Sequence, residues 1–78
     1  MNKQRRKAIE ALSAKIEELK GEVEALRDEE QEYYDNMPES FQYGTKGEAA
    51  EAAIDQLDSA VSSLEEAVEY LNESTEQY

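Results

Sequence analysis

The sequence predicts an all-α fold, an antiparallel two-helix coiled-coil hairpin, and three observations carry that prediction. Apolar residues recur at alternating steps of three and four in both halves of the 78-residue chain. A single proline, Pro38, interrupts the pattern near the middle. The two apolar series find apolar partners throughout when the chain doubles back on itself.

The first series is Ile9, Leu12, Ile16, Leu19, Val23 and Leu26, followed by a polar miss at Glu30 and then Tyr33. It is a heptad seam with Ile/Ile/Val at position a and Leu at position d, and it predicts a helix over about 3–35. Pro38 lacks an amide proton and drives Met37 out of the α region, so this helix should stop near Asp35 or Asn36. The connection, 36–45, contains Pro38-Glu39, which could open one helical turn of its own. Thr45-Lys46-Gly47-Glu48 has the capping-box form, with the Thr45 hydroxyl set to accept from the Glu48 amide. A second helix is therefore expected over about 46–73, with Ala50, Ile54, Leu57, Val61, Leu64, Val68 and Leu71 as its seam.

Ile/Val at a and Leu at d is also the pattern of a parallel zipper, so orientation needs its own argument. Pairing residues whose numbers add to about 80 places Ile9 with Leu71, Leu12 with Val68, Ile16 with Leu64, Leu19 with Val61, Val23 with Leu57 and Leu26 with Ile54. The same register sets Lys3, Arg5, Arg6 and Lys7 near Glu69, Glu73 and Glu76. Each of those clusters stands at the unfavourable end of its own helix dipole, and antiparallel pairing relieves both.

A dozen apolar side chains make a small core, so a lone hairpin is expected to be marginal. Ala53, Ala60 and Ala67, at position g beside the seam, suit a second contact face. That face would serve either a homodimeric four-helix bundle or a partner's helix; the alternative is that these alanines only raise helix propensity.

Composition excludes much. There is no His and no Cys, hence no catalytic triad, no zinc site of the usual ligands and no disulfide. Paired carboxylates without a concave pocket cannot do glycosidase chemistry, and no Gly-rich phosphate loop is present. The carboxylate run 28–35 lacks the alternating ligands and central glycine of a calcium loop and reads as a solvated face. Within it, Glu30 occupies an a position and is expected to turn toward Lys46. No enzyme and no cofactor are expected. No apolar run approaches a membrane span, and the basic start lacks the apolar stretch of a signal peptide, so a cytoplasmic protein is expected.

Charge is uneven. Residues 1–27 hold seven Lys/Arg and five Asp/Glu, a net of +2, whereas residues 28–78 hold one Lys and fifteen Asp/Glu, a net of −14. Such a surface repels phosphate, so direct nucleic-acid binding is disfavoured outside Lys3–Lys7, and a protein with a basic surface is the natural partner. The partner-binding residues expected are Asp55, Asp58, Glu65, Glu66 and Glu69 on the second helix, with Tyr34, Phe41 and Tyr43 at the turn. Tyrosine supplies contact area with few rotors and a polar tip, although Tyr33, Tyr34, Phe41 and Tyr43 could equally close the hairpin's own end.

Residues 34–42, Tyr-Asp-Asn-Met-Pro-Glu-Ser-Phe-Gln, followed by Gly47-Glu48 and the repeating Ala-Ile/Val-x-x-Leu helix, resemble small uncharacterised acidic helical proteins of bacteriophages and prophages of Gram-positive bacteria. The similarity covers most of residues 9–73. It implies a bacterial host cytoplasm and a phage-encoded inhibitor of a host nuclease or defence factor, binding in some cases by imitating DNA. A purely structural, self-associating coiled coil is the alternative.

Overall fold

A computed structural model describes residues 1–77. Helix α1 spans Lys3–Asp35, a single turn α2 spans Glu39–Gln42, and α3 spans Thr45–Thr75. The chain reverses at Pro38, and α1 packs along α3 in a rod of 58 × 15 × 12 Å.

Local chemistry explains each boundary. Asn2 is extended, and its side-chain oxygen accepts from the Arg5 amide at 2.7 Å, satisfying one of the first orphan donors of α1. At the other end the Asn36 amide still donates to the Glu32 carbonyl (3.0 Å) and the Met37 amide to Tyr34 (3.1 Å), after which Pro38 ends the ladder. The Pro38 carbonyl then accepts from the Phe41 and Gln42 amides at 2.8 and 3.1 Å, so the single turn in the connection does form.

The start of α3 departs from expectation. Gly44, not Thr45, is the N-cap; Thr45 is already helical, and no side-chain cap forms. The Glu48 amide donates to the Gly44 carbonyl at 3.0 Å instead. The capping box fails because Gly44 adopts the extended cap conformation one residue earlier, leaving the Thr45 hydroxyl out of phase with Glu48. Two residues on, Gly47 is buried where α2 crosses α3, and a Cβ there would overlap the backbone of Gln42. The Gln42 side-chain amide donates to the Tyr34 carbonyl at 2.9 Å, so the connection satisfies one of the last carbonyls of α1.

The core is narrower on α1 than on α3. Ala50, Ile54, Val61 and Val68 of α3 are buried, and Leu57, Leu64 and Leu71 are half-buried. On α1, the a residues Ile9, Ile16 and Val23 are half-buried, yet Leu12, Leu19, Leu26 and Tyr33 are 50–55% exposed. The expected layers built on these leucines are therefore not sealed. In place of d, position e turns inward with a: Ser13 is 6% exposed with its hydroxyl unpartnered, and Arg6, Lys20, Arg27 and Tyr34 are half-buried.

Three side-chain pairs close this edge across the hairpin. Lys20 Nζ lies 3.4 Å from Glu65 Oε1, Arg27 Nη1 3.0 Å from Asp58 Oδ1, and Tyr34 Oη 2.6 Å from Glu51 Oε1. Each pair joins position e of α1 to position e of α3 and adds to 85, the sum that a register of 80 for the a–d layers implies, because e lies four residues after a and one after d. At the open end the backbones themselves meet, the Met1 ammonium donating to the Gln77 carbonyl at 3.3 Å. Among the described residues, no ion pair joins Lys3, Arg5, Arg6 or Lys7 to Glu69, Glu73 or Glu76, and none joins Glu30 to Lys46. The charge clusters are near one another without contact, which is the usual condition of long solvated side chains. No helix among the described residues is long and apolar enough to cross a membrane.

Candidate functional site

The reversal places aromatic side chains and carboxylates together at one end of the rod. The midpoints of α1 and α3 fall near residues 19 and 60, so residues 20–59 form the half that carries the turn. That half holds twelve Asp/Glu and three Lys/Arg, a net of −9; residues 1–19 and 60–78 hold eight and five, a net of −3. Doubling back sets the basic start of α1 beside the acidic end of α3 and leaves the tip as the negative pole.

Within this pole the aromatics divide. Tyr34 is turned onto the hairpin's own edge, its hydroxyl donating to Glu51, and that hydrogen bond to a carboxylate, aided by partial desolvation, raises the phenol above its ordinary pKa of 10.0. Tyr34 thus already has a hydrogen-bond partner within the fold. Phe41 and Tyr43 are 54% and 79% exposed. Phe41 and Tyr33, with Asn36, Met37, Pro38 and Lys46, line a shallow open hollow of about 250 Å³. Tyr33 and Phe41, both about half exposed, flank Pro38 in the sequence and share this hollow with it.

The expected acidic residues also divide. Asp58 and Glu65 are committed to Arg27 and Lys20, and the guanidinium of Arg27 is held above its ordinary pKa mainly by the hydrogen bond to Asp58. Asp55, Glu66 and Glu69 are exposed, and among the described residues they make no ion pair. No group of three or more carboxylates among the described residues is arranged to hold a metal ion.

Ala53, Ala60 and Ala67 are half-buried. Because e faces e across one edge of the hairpin, the d residues of α1 and the g residues of α3 lie toward the opposite edge. The alanines therefore border the exposed leucines of α1, a stripe that the heptad reading had assigned to the interior. The signal that could have revealed it was the complementary pair of e columns, Lys20 and Arg27 on one helix against Glu65 and Asp58 on the other.

No family model matches the chain, and no curated protein or solved structure matches it significantly, so its functional reading rests on its own geometry.

Proposed function

We propose that the chain is a non-catalytic protein–protein interaction module whose acidic aromatic tip binds a basic surface on another protein. The observation that carries this reading is the exposure of Phe41 and Tyr43 in the half of the rod with a net charge of −9. Exposed aromatic rings supply contact area at small entropic cost, and the surrounding carboxylates steer a basic partner toward them. Asp55 stands free for that partner, with Glu66 and Glu69 farther along α3.

Charge density bears on the kind of partner. Nine net charges over about half of 58 Å is one per roughly 3 Å, against one per ~1.7 Å along duplex DNA. That density suits a local basic patch better than close imitation of a duplex. A nuclease or defence factor of a bacterial host, inhibited by a phage protein, presents such a patch at its nucleic-acid site. Self-association, the second reading, is favoured by a separate observation, the half-exposed leucines of α1, and is compatible with the first because it uses another face.

The test is capture of a partner from bacterial lysate by the immobilised protein. Phe41→Ala with Tyr43→Ala should abolish capture, and raised salt should weaken it. Capture indifferent to both changes would dismiss the tip as the binding surface.

A further inference from the structure

We infer that the leucine stripe of α1 is the seam of an antiparallel homodimer, in which a second copy of the chain docks α1 against α1 about a two-fold axis at Leu19. This rests on and deepens the self-association reading; its surface is distinct from the exposed rings of Phe41 and Tyr43 and meets the tip only at Tyr33. The stripe continues at heptad spacing as Arg5, Leu12, Leu19, Leu26 and Tyr33, and the leucines and Tyr33 are 50–55% exposed in the hairpin. By turning a and e toward α3, the helix leaves its leucines on a face that α3 covers only in part.

Three arguments identify the occupant as a second copy and set its direction. The stripe is self-complementary when reversed: about an axis at Leu19, Leu12 meets Leu26 of the partner copy, Leu19 meets its own counterpart, and Arg5 comes beside the Tyr33 ring, where a guanidinium and an aromatic face attract. Charge is complementary in the same direction only. Residues 1–19 of α1 carry a net of +2 and residues 20–35 a net of −5, and beside the seam Lys15 comes opposite Glu22 of the other copy. Parallel docking would instead set Arg5 on Arg5, Glu22 on Glu22 and one −9 tip on the other. Area requires full overlap: the 58 × 15 Å outline bounds the face at about 870 Å², so the ~800 Å² that a stable interface takes from each partner is approached only when the copies overlap along the whole of α1, as an axis at Leu19 makes them. Ala53, Ala60 and Ala67 border the seam, and their small side chains leave room for the incoming helix. The product is a four-helix assembly with one acidic aromatic tip at each end, so the dimer would be bivalent.

Sedimentation of the full chain is expected to give a 17.8 kDa species, twice the 8.9 kDa of the monomer, strengthened by salt because two chains of −12 otherwise repel. Binding of a basic partner at the tip weakens with salt, so failure of one proposal is distinguishable from failure of the other. Leu19→Glu, at a position half exposed within the hairpin, should keep its helical circular dichroism and raise the dimer dissociation constant at least ~100-fold by burying a charge in the seam. Direction is read by oxidative cross-linking: Leu19→Cys should form a covalent dimer readily, whereas Leu12→Cys should do so only when mixed with Leu26→Cys. A monomer at all accessible concentrations, a dimer that tolerates Leu19→Glu, or cross-linking of Leu12→Cys with itself as fast as Leu19→Cys would each overturn the inference.

Discussion

Two glycines in helices, substituted identically, should move stability in opposite directions. Gly21 lies within α1, exposed, and a Cβ built on it meets no atom within 4 Å. Alanine there recovers the helix propensity that glycine forfeits, about 0.8–1 kcal/mol, which for a domain of this size raises the melting temperature by roughly 3–8 °C. Gly47 lies within α3, and a Cβ there would overlap the Gln42 backbone. The same propensity gain is offset by overpacking of ~1–3 kcal/mol, because the opposing atoms belong to a backbone that cannot rotate away. The expected net is a loss of up to ~2 kcal/mol, or displacement of α2 together with the hydrogen bond from Gln42 to the Tyr34 carbonyl. Thermal and urea unfolding followed by circular dichroism at a fixed protein concentration would measure both, and the double variant should be additive because the sites are far apart. Stabilisation by Gly47→Ala equal to that by Gly21→Ala would refute the reasoning, since it would mean that α2 does not press on α3.

Other outcomes are equally specific. Ile54→Ala removes a buried core side chain and should cost ~2–4 kcal/mol in urea midpoint measurements, whereas Phe41→Ala and Tyr43→Ala, on exposed rings, should stay within about 0.5 kcal/mol. Asn2→Ala removes the cap on Arg5 and should cost ~1 kcal/mol, seen as faster amide exchange in the first turn of α1. The Tyr34 phenol is raised in the fold, so the neutral form is the one the fold favours. Its contribution is complete below the ordinary tyrosine value of about 10 and is lost as pH rises through the folded value. Ultraviolet titration should show a phenol titrating above the ordinary tyrosine value that is absent in Tyr34→Phe; its persistence in that variant would contradict the bond to Glu51.

Much of the fold was legible because its causes are local. The apolar period of three and four requires helices, and Pro38 requires an interruption, whatever surrounds them. The capping box misled for a reason of the same kind: Thr45 matches the motif, but the helix starts one residue earlier, with Gly44 in the extended cap conformation and Thr45 already helical. The candidate site was legible only in composition. Aromatic residues around the turn were visible, but Tyr34, Phe41 and Tyr43 are near neighbours in sequence, and nothing in their spacing says that one reaches back to Glu51 while the others project outward.

By itself the sequence determined two long helices, their reversal, and an acidic chain with no thiol or imidazole. Tertiary structure alone decided which stripe of α1 faces α3. On α1 the apolar residues at a and d are flanked at e by Arg6, Lys20, Arg27 and Tyr34, whose long side chains can also bury apolar stems, so more than one rotation of the helix buries comparable area. Small differences then choose among them, and contacts such as Lys20 with Glu65, Arg27 with Asp58 and Tyr34 with Glu51 exist in only one rotation. Each is weak singly, yet between nearly equivalent packings weak contacts decide, and the leucines they turn outward become the surface left for another molecule.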